Sequence, residues 1–320
     1  MRQYRIAVLG KWESYVSYFL MGSLQGIFLN GGLGIPISIE KNSPNEIWNQ
    51  LSFFKPHAVL AHTIFDRKPN IEELFEVFRK YRRVGGKVFY HAGDARTEPR
   101  YPKAINDIVD YVLLNHWPRM PAYNVWNVPC FHWPYGTLNQ EEITNPSALY
   151  VCDLGFAGSL ENNQHHAPRA KFIQTLKSKV NIKTFPTPET GNTRFQTPEF
   201  AASAKGCLGF QMGLNIPGYT DVRPFQLCGA GALYFHDKHP SMEQFFKDEI
   251  HYVGFERDNV DDFYNKWTYY LNNPEEAKKI RREAFRYTQE HHSYKERMRG
   301  VINILEGKEY KLHYICKASM

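Results

Sequence analysis

The chain has 320 residues, of which 42% are hydrophobic and 22% charged, the balance of a globular protein large enough for two ordinary domains. A net charge of +6 and a pI near 8.9 favour an anionic partner such as a nucleotide or a nucleic acid. No apolar stretch approaches the roughly 20 residues that a membrane helix needs, which excludes a helical span and a membrane partner of that kind.

The opening "MRQYRIAVLGKWESY" passes into a strand pattern without a cleavage region, so a cytoplasmic location is expected. "YRIAVLG" (4–10) reads as a buried strand, with a helix over 14–30 after it. "HAVLAHT" (57–63), "KVFYHA" (87–92) and "DYVLLNH" (110–116) are further short apolar runs. Between the second and third strands, "NIEELFEVFRKYRRVGG" (70–86) repeats its apolar residues at helical spacing, and Gly85–Gly86 stops it. Strands alternating with helices predict a parallel sheet covered on both faces.

The periodicity lapses over "PYGTLNQEEITNPSALY" (134–150), the expected linker. Alternation then resumes with strands at 153–159, 181–186, 206–212, 231–237 and 251–255. Helices are predicted from Pro168, near Phe200, and over 259–271 and 274–290. The expected architecture is α/β, with Rossmann-like domains over 1–140 and 150–292. A C-terminal stretch, 293–320, is expected to join the first. Open parallel sheets bind ligands at the carboxyl ends of their strands, so two facing domains would hold one substrate each.

The five cysteines (Cys130, Cys152, Cys207, Cys228, Cys316) form no CxxC pair and read as reduced thiols. His236 and His239 lack a third ligand at suitable spacing, so no metal is expected.

Three stretches of the second half suit a nucleotide diphosphate. In "GFAGSLENNQHHAPRAK" (155–171), Gly158 and Ser159 end a strand, and Arg169 and Lys171 open a helix. Cations there oppose the helix dipole, which a bound anion would explain; a solvated basic helix start is the alternative. In "DVRPFQLCGAGALYFHD" (221–237), Arg223 can grip a pyrophosphate through its fork and Gln226 can meet ribose hydroxyls. Gly229 and Gly231 allow close backbone approach. In "FHDKHPSMEQFF" (235–246), Asp237 follows a strand and can contact sugar hydroxyls.

This order, strand–Gly–Ser–helix with Arg169 and then Arg223-Pro-Phe-Gln226, resembles the donor domain of GT-B glycosyltransferases. The resemblance implies a nucleotide-sugar donor, UDP-glucose or a relative, with the arginines on its diphosphate. Those enzymes usually carry Glu at the position of Gln226, which binds the ribose; glutamine lacks that charge.

In the first half, "KVFYHAGDARTEPRY" (87–101) delivers Asp94, Arg96 and Arg100 just past a strand. Together with Lys68-Pro69-Asn70, Lys87 and Tyr90, this stretch resembles the bacteriophage DNA β-glucosyltransferases that modify 5-hydroxymethylcytosine. The resemblance implies that Asp94 is the general base of an inverting transfer. A structural Asp–Arg ion pair is the alternative. Arg96 would keep the carboxylate ionised, and Arg100 and Glu13 would touch acceptor or sugar. A duplex acceptor would present a flipped base, with Arg79, Lys80, Arg82, Arg83, Arg96, Arg100 and Lys103 as candidates for its phosphates; a solvated basic face is the alternative for "RKYRR" (79–83). Trp117 and Trp126 offer stacking surfaces or core rings. "DVRPFQLCGAG" also resembles bacterial CgeB-type glycosyltransferases, which act on saccharides or proteins. A nucleotide-sugar or DNA-binding module without catalysis is a further possibility. The expected assembly is a monomer.

Overall fold

The computed structural model describes residues 3–12, 17–62, 71–92, 102–116, 127–142, 146–158, 160, 167–185, 197–211 and 218–314. The chain divides into two units. Unit 1 takes Met1–Tyr135, Ile216–Tyr219 and Tyr294–Leu312; unit 2 takes Gly136–Asn215, Thr220–Ser293 and His313–Met320.

Unit 1 is built on a six-stranded parallel sheet in the order β2-β1-β3-β4-β5-β6. The strands are β1 (Arg5–Gly10), β2 (Leu33–Ser38), β3 (Ala58–His62), β4 (Lys87–Ala92), β5 (Tyr111–Leu114) and β6 (Cys130–His132). Ile6, Val8, Val59, Leu60, Val88 and Phe89 are wholly buried, as strands covered on both faces require. Around the sheet lie α1 (Ser17–Leu29), α2 (Pro44–Phe54), α3 (Ile71–Arg83), α4 (Pro102–Ile108) and, from the far end of the chain, α11 (Tyr294–Leu305).

The segment 31–56, unassigned from apolar periodicity, supplies β2 and α2. β2 is an edge strand exposing Leu33, Gly34 and Pro36, so it lacks a continuous apolar run, and an edge is where a strand proline is tolerated. α2 begins with a full capping box: Ser43 accepts from the Glu46 backbone N–H while Glu46 reaches back to the Ser43 N–H, and Pro44 stands in the first turn.

α11 packs against α1 through Gly22 and Gly26, which share one helix face. A Cβ on Gly26 would lie 2.3 Å from the Tyr294 carbonyl oxygen, a backbone atom that cannot rotate away. Gly26→Ala is therefore expected to destabilise unit 1 by about 1–3 kcal/mol, the usual cost of overpacking. A thermal unfolding midpoint within a degree of the parent would disprove this.

Unit 2 carries a five-stranded parallel sheet in the order β11-β10-β9-β7-β8. Its strands are β7 (Cys152–Ala157), β8 (Ile182–Phe185), β9 (Ala204–Gly209), β10 (Tyr234–Asp237) and β11 (Val253–Phe255). The helices are α5 (Ala167–Leu176), α6 (Thr197–Ser203), α7 (Arg223–Cys228), α8 (Pro240–Glu243), α9 (Val260–Asn272) and α10 (Pro274–His291). Its core is markedly aromatic: Phe156, Phe172, Phe210, Phe235, Phe255, Phe263 and Trp267 pack as one cluster, mostly edge to face. The two parallel α/β units expected from the alternating pattern are both present.

Cys207 and Cys228 are buried and Cys130 and Cys152 half-buried, all as free thiols. Burial pushes the Cys130 and Cys152 thiols up to about 11, which keeps them protonated and unreactive. No described helix is long and apolar enough to cross a membrane.

Candidate functional site

The carboxyl end of β7 gathers the strongest set of groups in unit 2. Arg169, in the first turn of α5, is 6% exposed, with its guanidinium 5.7 Å from the Phe156 ring centroid. Arg223, at the start of α7, lies 6.0 Å from the same ring. Two residues beyond Phe156 is Gly158, where a Cβ would come within 2.8 Å of Arg223 Nη2. Glycine at this point therefore makes room for the guanidinium. Cations held against one ring at a strand end attract an anion, and two forks suit the several oxygens of a diphosphate.

Asp221 orients Arg223. Its Oδ1 accepts from the Arg223 backbone N–H at 2.8 Å and its Oδ2 from Nη1 at 3.1 Å. This leaves Nη2 beside Gly158. Sequence reasoning missed Asp221, although its position two residues before Arg223 was a usable signal. Gln226, one turn along α7, is buried at 6% exposure. Ser159 lies outside the described residues.

Asp237 is wholly buried and its oxygens meet protein donors. Oδ1 accepts from the Gln211 backbone N–H at 2.7 Å, and Oδ2 from Arg257 Nε at 2.6 Å. His236 donates from Nδ1 to the Asp237 carbonyl at 2.7 Å. Asp237 thus anchors Arg257, a residue that sequence reasoning passed over in "GFERDN". Among the described residues, no group of three His, Cys, Asp or Glu side chains is placed to hold a metal.

In unit 1, the carboxyl ends of β1, β3, β4 and β5 lead into segments that lie outside the described residues. Glu13, Asp94, Arg96 and Arg100 belong to those segments, as do Lys68-Pro69-Asn70, Trp117 and Trp126. At the ends of β3 and β4 is a feature that sequence analysis did not find. His62 and His91 are register partners in adjacent strands, both wholly buried, with their Nδ1 atoms 2.6 Å apart. One ring donates and the other accepts, and burial holds both neutral. Burial pushes His91 down to about 3, against the raising effect of the Trp133 backbone carbonyl; burial and then the neighbouring His91 hold His62 well below its ordinary value. Phe19 stacks on both rings.

The basic cluster of α3 lies at the amino edge of the sheet. Arg79, Lys80, Arg82 and Arg83 occupy the end of α3, just before the amino end of β4. The six residues of β4, about 20 Å of extended chain, separate this helix end from the carboxyl edge of the sheet. A helix that returns to a parallel strand necessarily ends at the strand's amino edge. The cations also have local partners: Arg79 pairs with Glu76 and Asp107, Arg82 with Asp110, and Lys80 lies over the Trp48 ring. They complement the helix dipole and do not border the carboxyl edge.

Residues 169–303 match a family model described as glycosyl transferase-like. A search of curated proteins returns no match. Among solved structures, the chain is similar to a glycosyltransferase from Rickettsia africae, with a TM-score of 0.61 and 12% identity over 96% of this chain and 99% of that one. It is similar to the T4 phage β-glucosyltransferase (BGT) in complex with its UDP-glucose substrate, with a TM-score of 0.60 and 11% identity over 94% and 99%. A trehalose-6-phosphate synthase examined for glycosyl transfer with retention gives 0.57 and 8% over 96% and 100%. Two parallel-sheet units, a similarity that runs nearly end to end with each of these structures, and a glycosyl transferase-like segment containing Arg169, Arg223 and Gln226 lead to one structural conclusion: the chain has the GT-B fold of glycosyltransferases.

Proposed function

We propose that the protein transfers a sugar from a UDP-sugar to a hydroxyl acceptor, 5-hydroxymethylcytosine or a related 5-hydroxymethylpyrimidine in phage DNA, with inversion at the anomeric carbon. The observation that carries the donor half is the meeting of Arg169 and Arg223 over Phe156 beside Gly158. A diphosphate leaving group needs charge stabilisation and no proton donor, which two guanidiniums supply. The DNA acceptor rests on the Asp94-x-Arg96 motif, and the fold similarity to the phage β-glucosyltransferase supports it.

In this reading Asp94 takes the hydroxymethyl proton as that oxygen attacks the anomeric carbon. The bond from this carbon to the diphosphate oxygen breaks, and UDP leaves carrying the electron pair. Asp94→Ala is expected to lower the transfer rate by about 10²–10⁴, the range for loss of a general base, with UDP affinity unchanged. A parental rate would remove Asp94 from the mechanism.

A saccharide or protein acceptor is the second reading, and the location of the α3 cations favours it, because they do not line the edge where a duplex would lie. One experiment separates the two. Hydroxymethylated and unmodified DNA are incubated with the protein and a panel of nucleotide sugars, and the nucleosides are weighed by mass spectrometry. Added hexose or pentose on the hydroxymethylated base supports the DNA reading, and its anomeric configuration by NMR tests inversion. No added sugar on any DNA refutes it.

A further inference from the structure

We infer that Arg257 reads the base of the donor nucleotide, selecting one that presents a ring carbonyl, such as O4 of uracil, where others carry an amino group. This rests on the donor reading above and adds the residue that sets nucleotide specificity.

Arg257 follows β11, yet its side chain turns back along the sheet edge. Nε donates to Asp237 at the end of β10, and Nη2 donates to the Gln211 carbonyl just past β9. The guanidinium therefore stands over the ends of β9 and β10. Neighbouring strands lie about 4.8 Å apart, so this is roughly 5–10 Å along the edge from β7, where Arg169 and Arg223 meet at Phe156. A nucleotide whose diphosphate lies on those two arginines reaches about that far with its base.

Rigidity comes next. Asp237 is 0% exposed and fixes Nε, while the Gln211 carbonyl fixes Nη2. The Gln211 backbone N–H in turn donates to Asp237, which closes a ring of hydrogen bonds. The side chain of Arg257 nevertheless stays 43% exposed, and Nη1 has no protein partner among the described residues. A buried carboxylate that only held an inert surface cation would be a costly arrangement. A guanidinium clamped at two points, with donors that no described residue takes up, is preorganised for a ligand acceptor.

The chemistry then decides which base. A guanidinium donates and never accepts. Uracil offers O4 and guanine O6, whereas cytosine and adenine carry an amino group at the same place and would set donor against donor. A site built to hydrogen-bond one group rejects the analogue that lacks it strongly.

The test is calorimetric titration of the full chain with UDP, GDP, CDP and ADP. UDP or GDP is expected to bind at least tenfold more tightly than CDP and ADP; UDP ahead of GDP assigns O4, and the reverse assigns O6. In the variant Arg257→Leu combined with Asp237→Asn, which leaves no bare buried carboxylate, the preference should shrink to within about threefold while CDP and ADP keep their affinity. CDP binding as tightly as UDP to the parent protein overturns the inference, whether or not the variant folds. So does discrimination that survives in a folded variant. Failure of all four nucleotides to bind overturns the donor reading itself, and this inference with it.

Discussion

Arg223→Ala is expected to weaken UDP binding at least about 100-fold and to lower kcat/KM by about 10³. Truncating one member of a desolvated, hydrogen-bonded charge pair typically costs 2–5 kcal/mol, and each 1.4 kcal/mol is tenfold. The local arrangement places the effect at the upper end. Asp221 is only 9% exposed on its side chain and spends its oxygens on the Arg223 backbone and Nη1. Without the guanidinium it becomes an unpaired carboxylate next to a bound anion, so attraction is replaced by repulsion. The rate falls further than the affinity because charge builds on the leaving diphosphate as the glycosidic bond breaks. Arg223→Lys should fall in between, since an ammonium keeps the charge but not the fork. UDP affinity within threefold of the parent in Arg223→Ala would rule out a diphosphate at this strand end.

Acidification is expected to destabilise unit 1 by about 4 kcal/mol between pH 7.5 and 5 through His91 and His132, with His62 adding in the same direction. His62, His91 and His132 are buried and neutral. Burial pushes His91 and His132 down to about 3 and holds His62 well below its ordinary value. In the unfolded chain each titrates near 6.5, so below that pH the unfolded state binds more protons than the folded one. Their folded values are depressed, so their stabilising contribution is full above about 6.5 and declines as the pH falls toward 3. His91 and His132 each contribute about 2 kcal/mol by pH 5, and domain stabilities are commonly 5–15 kcal/mol. Urea titrations at pH 7.5, 6 and 5 measure the slope, and His91→Asn should reduce it by about one proton. Stability that stays level from pH 7.5 to 5 would show that these imidazoles are not buried and neutral.

Much of the architecture was legible because parallel strands buried on both faces leave a continuous apolar run. "RIAVLG", "AVLAH" and "KVFYHA" announced β1, β3 and β4 in this way. The edge strand "LGIPIS" did not, since three of its six residues are exposed and one of these is proline. α2 was legible only through capping chemistry, Ser43-Pro44 with Glu46, and not through periodicity. The α3 cations show the opposite failure. Their composition was legible, and their edge follows from chain order, since α3 leads into β4, but their partners Asp107, Asp110 and Trp48 are set only by packing.

The candidate site divides along the same line. The amino-acid order by itself determined two alternating α/β halves, because hydrophobic periodicity is a local property of adjacent residues. It also singled out Arg169 and Arg223 by their place at helix starts after strands. Only the tertiary structure decided that both guanidiniums flank the Phe156 ring and that Asp221 aims one of them. It alone turned Asp237 toward Arg257 and paired His62 with His91 across 29 residues. Such partnerships depend on strand order and register, which arise when distant segments pack into one sheet and leave no mark on the spacing of residues along the chain.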